Sequence, residues 1–302
     1  MELTIIQRPK NGFLGGPKRK SFSVCHNSVN YKITINQEGL RRITITSSST
    51  GAIEELFEIY YSLETLLMLF DGQFYPVVKT FGDDEEITHR WKGQTLPCYH
   101  SADFMRDTGN ILISFNAVLE TQLFQNWLNL REELDLIHKM ALYCLSSVGI
   151  PKDMQCAFMT ETFEGLSELI HEKKPDFILP KVKGRESKLQ KYLLTIIPHF
   201  GTLIFNKEIQ HNLKAFTQIL VNSRNRIAHI KSKQDRIYLN SADNVMYLMK
   251  LSLLYRVILF DLLGISDALY KDKLSLRVQA IDNHEVTQKF LMQLSKYDDG
   301  FA

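Results

Sequence analysis

The hydrophobic period changes once along this chain, and that change limits the folds open to it. Before about Phe115, apolar and polar residues alternate. Ser21–Cys25, Tyr31–Ile35 and Arg42–Ser47 are short runs of period two, rich in β-branched residues and broken up by Gly12, Gly15, Gly16 and Gly39. Such alternation places one set of side chains on one face of a sheet, as in a half-buried strand. A single helical stripe interrupts it, at Ile53, Leu56, Ile59, Tyr60, Leu63, Leu66 and Leu67. Phe74–Phe81 and Ile111–Phe115 return to strand character, and between them 82–107, polar and acidic at first, reads as a long loop that could carry an edge strand. From about Val118 the spacing becomes three to four and stays so. It predicts helices near 120–149, 154–173, 185–198, 207–228, 241–263 and 284–296, with Pro151, Pro175, Pro180, Pro198 and Gly264 as stops. Strands first and helices afterwards define an α+β chain. The expected organisation is a strand-rich N-terminal domain over 1–116 and an all-α helical bundle over 117–302.

Composition bounds the function. The 302 residues are 44% apolar and 23% charged, enough apolar material for a sizeable core. The net charge of +2 gives no global field for nucleic acid. Up to Glu120 there are 12 basic and 14 acidic residues, and beyond it 24 and 20, a small bias toward a polyanion partner for the helical half. Cys25, Cys98, Cys144 and Cys156 form no CxxC pair and no zinc-ligand spacing with histidine, so they read as buried free thiols of a reducing compartment. No motif calls for a metal or a cofactor, and Asp83-Asp84-Glu85-Glu86 reads as a solvated acidic loop. The N-terminus has no apolar run of signal-peptide length. The longest apolar stretch, 245–263, carries Lys250, Arg256 and Asp261 and reads as a core helix, with no membrane span. A cytoplasmic protein is expected.

Ser223-Arg224-Asn225-Arg226-Ile227-Ala228-His229 ends one amphipathic helix and is followed by a basic turn and a nearly all-apolar helix. Asn206 is the expected N-cap of the first, with Glu208 in the first turn to suit the dipole. Arg224 stands four residues after Leu220, where the apolar stripe Ile209, Leu213, Phe216, Leu220, Ile227 predicts an apolar side chain. Burying it alone is expensive, so it pairs with an acid or lines a cleft. Asn225 and His229 are one turn apart and share a face. Arg224 and His229 are five apart, about 140° around an ideal helix, and do not. An arginine that holds a phosphate and a histidine that moves a proton suffice for RNA cleavage without a metal.

Arginine, four to six residues, then histidine is a weak pattern, and this chain contains it four times. Arg19…His26, Arg131…His138 and Arg277…His284 read as surface or packing residues. Only Arg224 is followed at once by a small polar residue, and only it has Arg226, Lys231, Lys233 and Arg236 nearby. Lys181, Lys183, Arg185, Lys188 and Lys191 make a second basic run, either a solvated face or an RNA-backbone contact.

Asn222 to His229, the basic turn, and an apolar helix ending Phe260-Asp261-Leu262-Leu263-Gly264 resemble the HEPN superfamily, and most of all the ApeA-like bacterial anti-phage proteins, in which a strand-rich domain precedes the HEPN helices. The resemblance is specific over about Asn206 to Gly264. It implies a metal-independent endoribonuclease toxin of abortive infection. Arg224 and His229 would be the catalytic pair and Asn225 their support, and Arg226, Lys231, Lys233, Lys183, Arg185 and Lys188 would contact RNA. It also implies a homodimer through the helical domain, in which two motifs meet across one cleft, and a phage-derived or protein trigger at the N-terminal domain. Where some toxin members carry a modifiable tyrosine, two residues after the histidine, this chain has Lys231.

Blander readings stand beside this one. Arg224 could pair structurally with Asp243 or Asp261, and His229 could be a helix cap without chemistry. The helical domain would then be a non-catalytic RNA- or protein-binding module. Alternatively, the chain is a regulatory, antitoxin-like subunit whose N-terminal domain does the essential work.

Overall fold

The computed structural model of the chain describes residues 1–8, 18–49, 52–88, 111–145, 150–183, 187–229 and 236–297. Its class is α+β, as expected. One antiparallel sheet contains β1 (Glu2–Gln7), β2 (Lys18–His26), β3 (Val29–Glu38), β4 (Leu40–Ser47), β5 (Val77–Gly82) and β6 (Glu85–Glu86), in the order β2-β3-β4-β1-β5-β6. Helix α1 (Ile53–Asp71) lies between β4 and β5 in the chain. Then follow α2 (Phe115–Val118), α3 (Thr121–Leu145), α4 (Lys152–Lys173), α5 (Lys188–Phe200), α6 (Asn206–Ala228), α7 (Ser241–Leu262), α8 (Lys271–Asp282) and α9 (Glu285–Leu294).

Asn27 (φ 49°) and Ser28 (φ 64°) make the two-residue turn between β2 and β3. Two left-handed residues give such a turn the twist of the strands it joins. Val24, Tyr31, Ile33, Ile35, Ile43, Ile45, Leu3 and Ile5 fill the buried sheet face. Leu56, Ile59, Tyr60, Leu63, Leu66 and Leu67 of α1 are buried, and α1 packs on β1 and β4. Each such side chain contributes about 1.5–3 kcal/mol when fully buried.

The chain divides into two compact units, one built on residues 1–133 and the other on 134–145 and 149–302. The division falls inside α3, later than the 116/117 boundary expected from sequence. Contacts of the first half of α3 explain this. Trp127 donates its indole N–H to the Ser62 carbonyl at 2.6 Å, Phe124 meets Phe22 edge-on at 5.6 Å, and Arg131 bonds the Ser62 hydroxyl. These residues complete the core of the sheet unit. Asp135, just beyond, leaves helical geometry (φ 32°, ψ −107°).

Other differences have local causes. β1 is hidden in the sequence because its third inward residue is Gln7, which breaks the alternation. Lys18-Arg19-Lys20 opens β2. Ile111–Phe115 is not a strand: the N–H groups of Leu112 and Ile113 bond the Phe70 carbonyl near the end of α1, and Phe115 begins α2. α8 was not expected, because exposed Leu276 sits among its buried stripe Leu274, Val278 and Ile281 and mimics period two. Pro198, expected as a stop, lies inside the last turn of α5 at the loss of one helical hydrogen bond, and Gly201 caps the helix.

In the helical unit α7 packs against α4, α5, α8 and α9 and is buried almost all round, which is why its sequence is apolar without a stripe. A capping box of Asn240 and Asp243 starts it. Gly264 (φ 72°) ends it in the left-handed conformation that closes a helix, and Ile265 N–H returns to the Phe260 carbonyl at 2.8 Å.

Candidate functional site

α6 carries the arginine–histidine motif. Phe205 occupies its cap position and Asn206 is already helical, so the expected Asn206 cap is not formed. The helix is interrupted at Asn212 (φ −170°, ψ 88°), whose side-chain oxygen accepts from Ala215 N–H at 2.9 Å and caps a second segment. That segment runs to Ala228, with His229 as C-cap (φ −108°, ψ 8°). Phe216, Ile219 and Leu220 anchor it in the core.

Arg224 has an acidic partner, and it is Glu161 of α4, neither Asp243 nor Asp261. Asp243 belongs to the α7 capping box and Asp261 pairs with Lys174. Arg224 Nη2 donates to Glu161 Oε1 at 2.6 Å, and Nε lies 2.5 Å from Oε2 as a close ionic contact without hydrogen-bond alignment. Arg224 Nη1 donates to Asn225 Oδ1 at 2.7 Å. Asn225 therefore orients the arginine. The side chains of Arg224 and Glu161 are 21% and 32% exposed, so the pair sits at the rim of the core. A guanidinium has five N–H donors. Glu161 and Asn225 face three of them, which leaves one N–H on each Nη for a phosphate oxygen.

His229 is exposed. Its backbone N–H bonds the Asn225 carbonyl at 3.1 Å, one helical turn back. Among the described residues no side-chain hydrogen bond joins its imidazole to Arg224 or Asn225. The structure thus brings Arg224 and Asn225 together with Glu161 and leaves His229 on another part of the same helix end, as the five-residue spacing predicts.

The surrounding basic residues divide. Arg226 is exposed and its guanidinium carbon lies 5.2 Å from the centre of the Tyr238 ring. Lys183 is exposed. Lys188 departs from the expected RNA-contact role: Glu168 and Glu164 hold its ammonium at 2.6 and 3.2 Å. Hydrogen bonding to Glu168 raises its pKa well above the ordinary lysine value. Its charge is answered within α4, where Glu161, Glu164 and Glu168 lie at helical spacing. Lys231, Lys233 and Arg185 lie outside the described residues, as does Cys98. Cys25 is exposed, contrary to the expected buried thiols, whereas Cys144 and Cys156 are buried and burial pushes the Cys144 thiol up to about 12. Among the described residues no group of three or more His, Cys, Asp and Glu is placed to hold a metal ion, and no helix is long and apolar enough to cross a membrane.

Of the other arginine–histidine matches, Arg131…His138 has a packing role, whereas Arg19 and His284 are exposed and His284 Nδ1 accepts Val286 N–H as the cap of α9. Arg131 bonds Ser62, and buried His138 Nδ1 lies 2.7 Å from the Tyr255 hydroxyl.

Sequence reasoning missed Glu161 and Tyr238, and it gave Ser223, the first residue of the motif stretch, no role. Ser223 Oγ donates to the Ile219 carbonyl and accepts from Leu239 N–H at 2.9 Å, which ties the chain after the motif back onto α6. Glu161 is 63 residues from Arg224, and no local spacing could have linked them.

No protein-family model, no curated protein and no solved structure matches this chain. Fold and site together define an α+β chain whose helical unit ends one long helix in an acid-held arginine, an asparagine and an exposed histidine.

Proposed function

We propose that the chain is a metal-independent endoribonuclease of the HEPN type, working as a homodimer through its helical unit. The arrangement of Arg224 carries the reading. A guanidinium fixed by Glu161 and Asn225, at the protein surface and with two N–H donors to spare, suits a phosphodiester in its negatively charged transition state. In the reaction the ribose 2′-hydroxyl attacks the adjacent phosphorus. The 2′-O–P bond forms, the P–O5′ bond breaks, and the products are a 2′,3′-cyclic phosphate and a 5′-hydroxyl. An exposed histidine suits the transfer of the proton from the 2′-hydroxyl or to the leaving oxygen, and His229 is given that role. Two copies of the motif facing one cleft would place the arginine of one beside the histidine of the other, which answers their separation on a single helix. By resemblance, the protein is a cytoplasmic effector of bacterial anti-phage defence, with the sheet unit sensing a phage-derived or protein trigger.

The test is incubation of purified protein with total RNA and a defined transfer RNA in EDTA, beside His229→Ala. Cleavage that leaves 2′,3′-cyclic phosphate ends and is lost in the variant is the expected result. Cleavage by both proteins removes the motif from the reaction.

The ion pair itself favours a second reading, in which Arg224 is a structural residue of a non-catalytic RNA- or protein-binding module. On that reading His229→Ala leaves function intact and Arg224→Ala only lowers the melting temperature.

A further inference from the structure

A groove of about 630 Å3 opens beside the motif, on the Ser223–Ile227 side of α6. Its volume falls within the roughly 300–1,000 Å3 of small-molecule sites. Met154, Ile227 and Leu239 supply apolar wall, and Arg226 and Tyr238 line the groove together. The Tyr238 ring lies under the Arg226 guanidinium at 5.2 Å, a cation–π contact that holds this otherwise exposed side chain. A planar guanidinium held on one face by a ring offers its other face for stacking.

The polar groups of the groove have unused acceptors. Asn244 spends its amide N–H groups on the Leu239 and Asn240 carbonyls, at 3.3 and 2.9 Å, and keeps Oδ1. Asp153 accepts Met154 N–H on Oδ1 and keeps Oδ2. Such acceptors suit the amino and ring N–H groups of a nucleobase. The N-terminal ends of two 22-residue helices, α4 at Pro151 and α7 at Asn240, also border the groove. Of these groups Arg226 favours an attached phosphate, because Asn240 Oδ1 already takes the Ala242 and Asp243 N–H groups and Asp153 Oδ1 that of Met154.

We propose that this groove binds one nucleotide, its base stacked on the Arg226–Tyr238 pair. That the nucleotide belongs to the RNA strand being cut rests on the ribonuclease reading. The binding itself does not.

The test uses the full chain carrying His229→Ala, so that nothing is cleaved. The four nucleoside 3′-monophosphates and inorganic phosphate are titrated by calorimetry. The expected result is saturable, one-site binding of at least one nucleotide. Tyr238→Ala should weaken it about tenfold or more, as loss of a stacking partner does. Tyr238→Phe keeps the ring and should retain binding, and Arg226→Lys, which keeps charge but loses the plane, should weaken it. Melting temperatures of all variants establish that they are folded, and the Arg226→Lys arm decides the matter if Tyr238→Ala is not. Absence of binding by every nucleotide overturns the proposal, as does affinity unchanged by Tyr238→Ala and Arg226→Lys. Phosphate binding as tightly as the nucleotides overturns the base site. Nucleotide binding that depends on Tyr238 upholds the groove whether or not the wild-type protein cuts RNA, so failure of the nuclease reading and failure of the groove are distinguishable.

Discussion

Arg224 on α6 and Glu161 on α4 meet at two points, Nη2–Oε1 at 2.6 Å and Nε–Oε2 at 2.5 Å. The pair is neither fully buried nor fully exposed, so its worth lies between the two limits, about 1–2 kcal/mol. A positioned catalytic arginine and a structural one predict different penalties. Glu161→Gln keeps an acceptor for Nη2 but removes the charge. The expected outcome is a fall of tenfold or more in RNA cleavage with stability changed by about 1 kcal/mol. Urea denaturation and initial cleavage rates on the same preparation check this. A loss of several kcal/mol with normal cleavage by the survivors would make the pair structural.

His229 is exposed and its imidazole has no hydrogen-bond partner in the described structure. Truncation of such a surface side chain normally changes stability by less than about 0.5 kcal/mol. His229→Ala should therefore melt with the wild type and have no measurable cleavage. Cleavage within twofold of wild type, in a protein shown free of contaminating nuclease, would take the imidazole out of the reaction.

Legibility followed the range of the signal. The turn to helical spacing near Val118 and the stops at Pro151 and Gly264 are local, and the helices that bear the motif lie close to where the spacing puts them. The 140° between Arg224 and His229 was likewise legible, because it depends only on helix geometry. Glu161 was not, since a buried or rim arginine announces that it needs an acid but not which one. The sheet unit hid its polar row for a related reason. Gln7, Arg41 and Gln37 are cross-strand neighbours that all face inward, and each looks like the end of an apolar run until the strands are paired.

That polar row gives the sheet unit a pH dependence. Burial pushes the Glu64 carboxyl up to about 7, against the lowering effects of Tyr60, Arg41 and Gln7. Gln7 Nε2 donates to Glu64 Oε2 at 2.5 Å while Gln7 Oε1 is buried without a partner. Desolvation outweighs these bonds, so the neutral form suits the site. A folded value above the unfolded one means that the stabilisation is full below about pH 4.5 and is lost as pH rises through about 7. The loss is on the order of 3 kcal/mol. Glu64→Gln supplies a permanent neutral donor. It should melt higher than wild type at pH 8 and show a smaller advantage, or none, at pH 5. Parallel thermal scans at the two pH values check it, and an equal shift at both would assign the effect to packing alone.

Lys250 sits at the centre of the helical unit with no exposed surface, and its ammonium lies 2.6 Å from both Glu208 of α6 and Asp282 of α8. The aromatic faces of Phe205 and Tyr247 lie 5.6 and 6.0 Å away. One cation and two carboxylates share this enclosed space, so removing the cation leaves two like charges facing each other without compensation. Lys250→Met keeps most of the volume yet should cost about 3–5 kcal/mol, the usual consequence of orphaning a buried charge. Neutralising the acids as well, in Lys250→Met/Glu208→Gln/Asp282→Asn, should recover most of the loss, because desolvation of ions is what the single variant fails to offset. Denaturant midpoints of the wild type, the single variant and the triple variant make the comparison. A triple variant no more stable than the single one would show that the triad contributes through its specific geometry, and that Lys250 is needed to fix how α6, α7 and α8 pack.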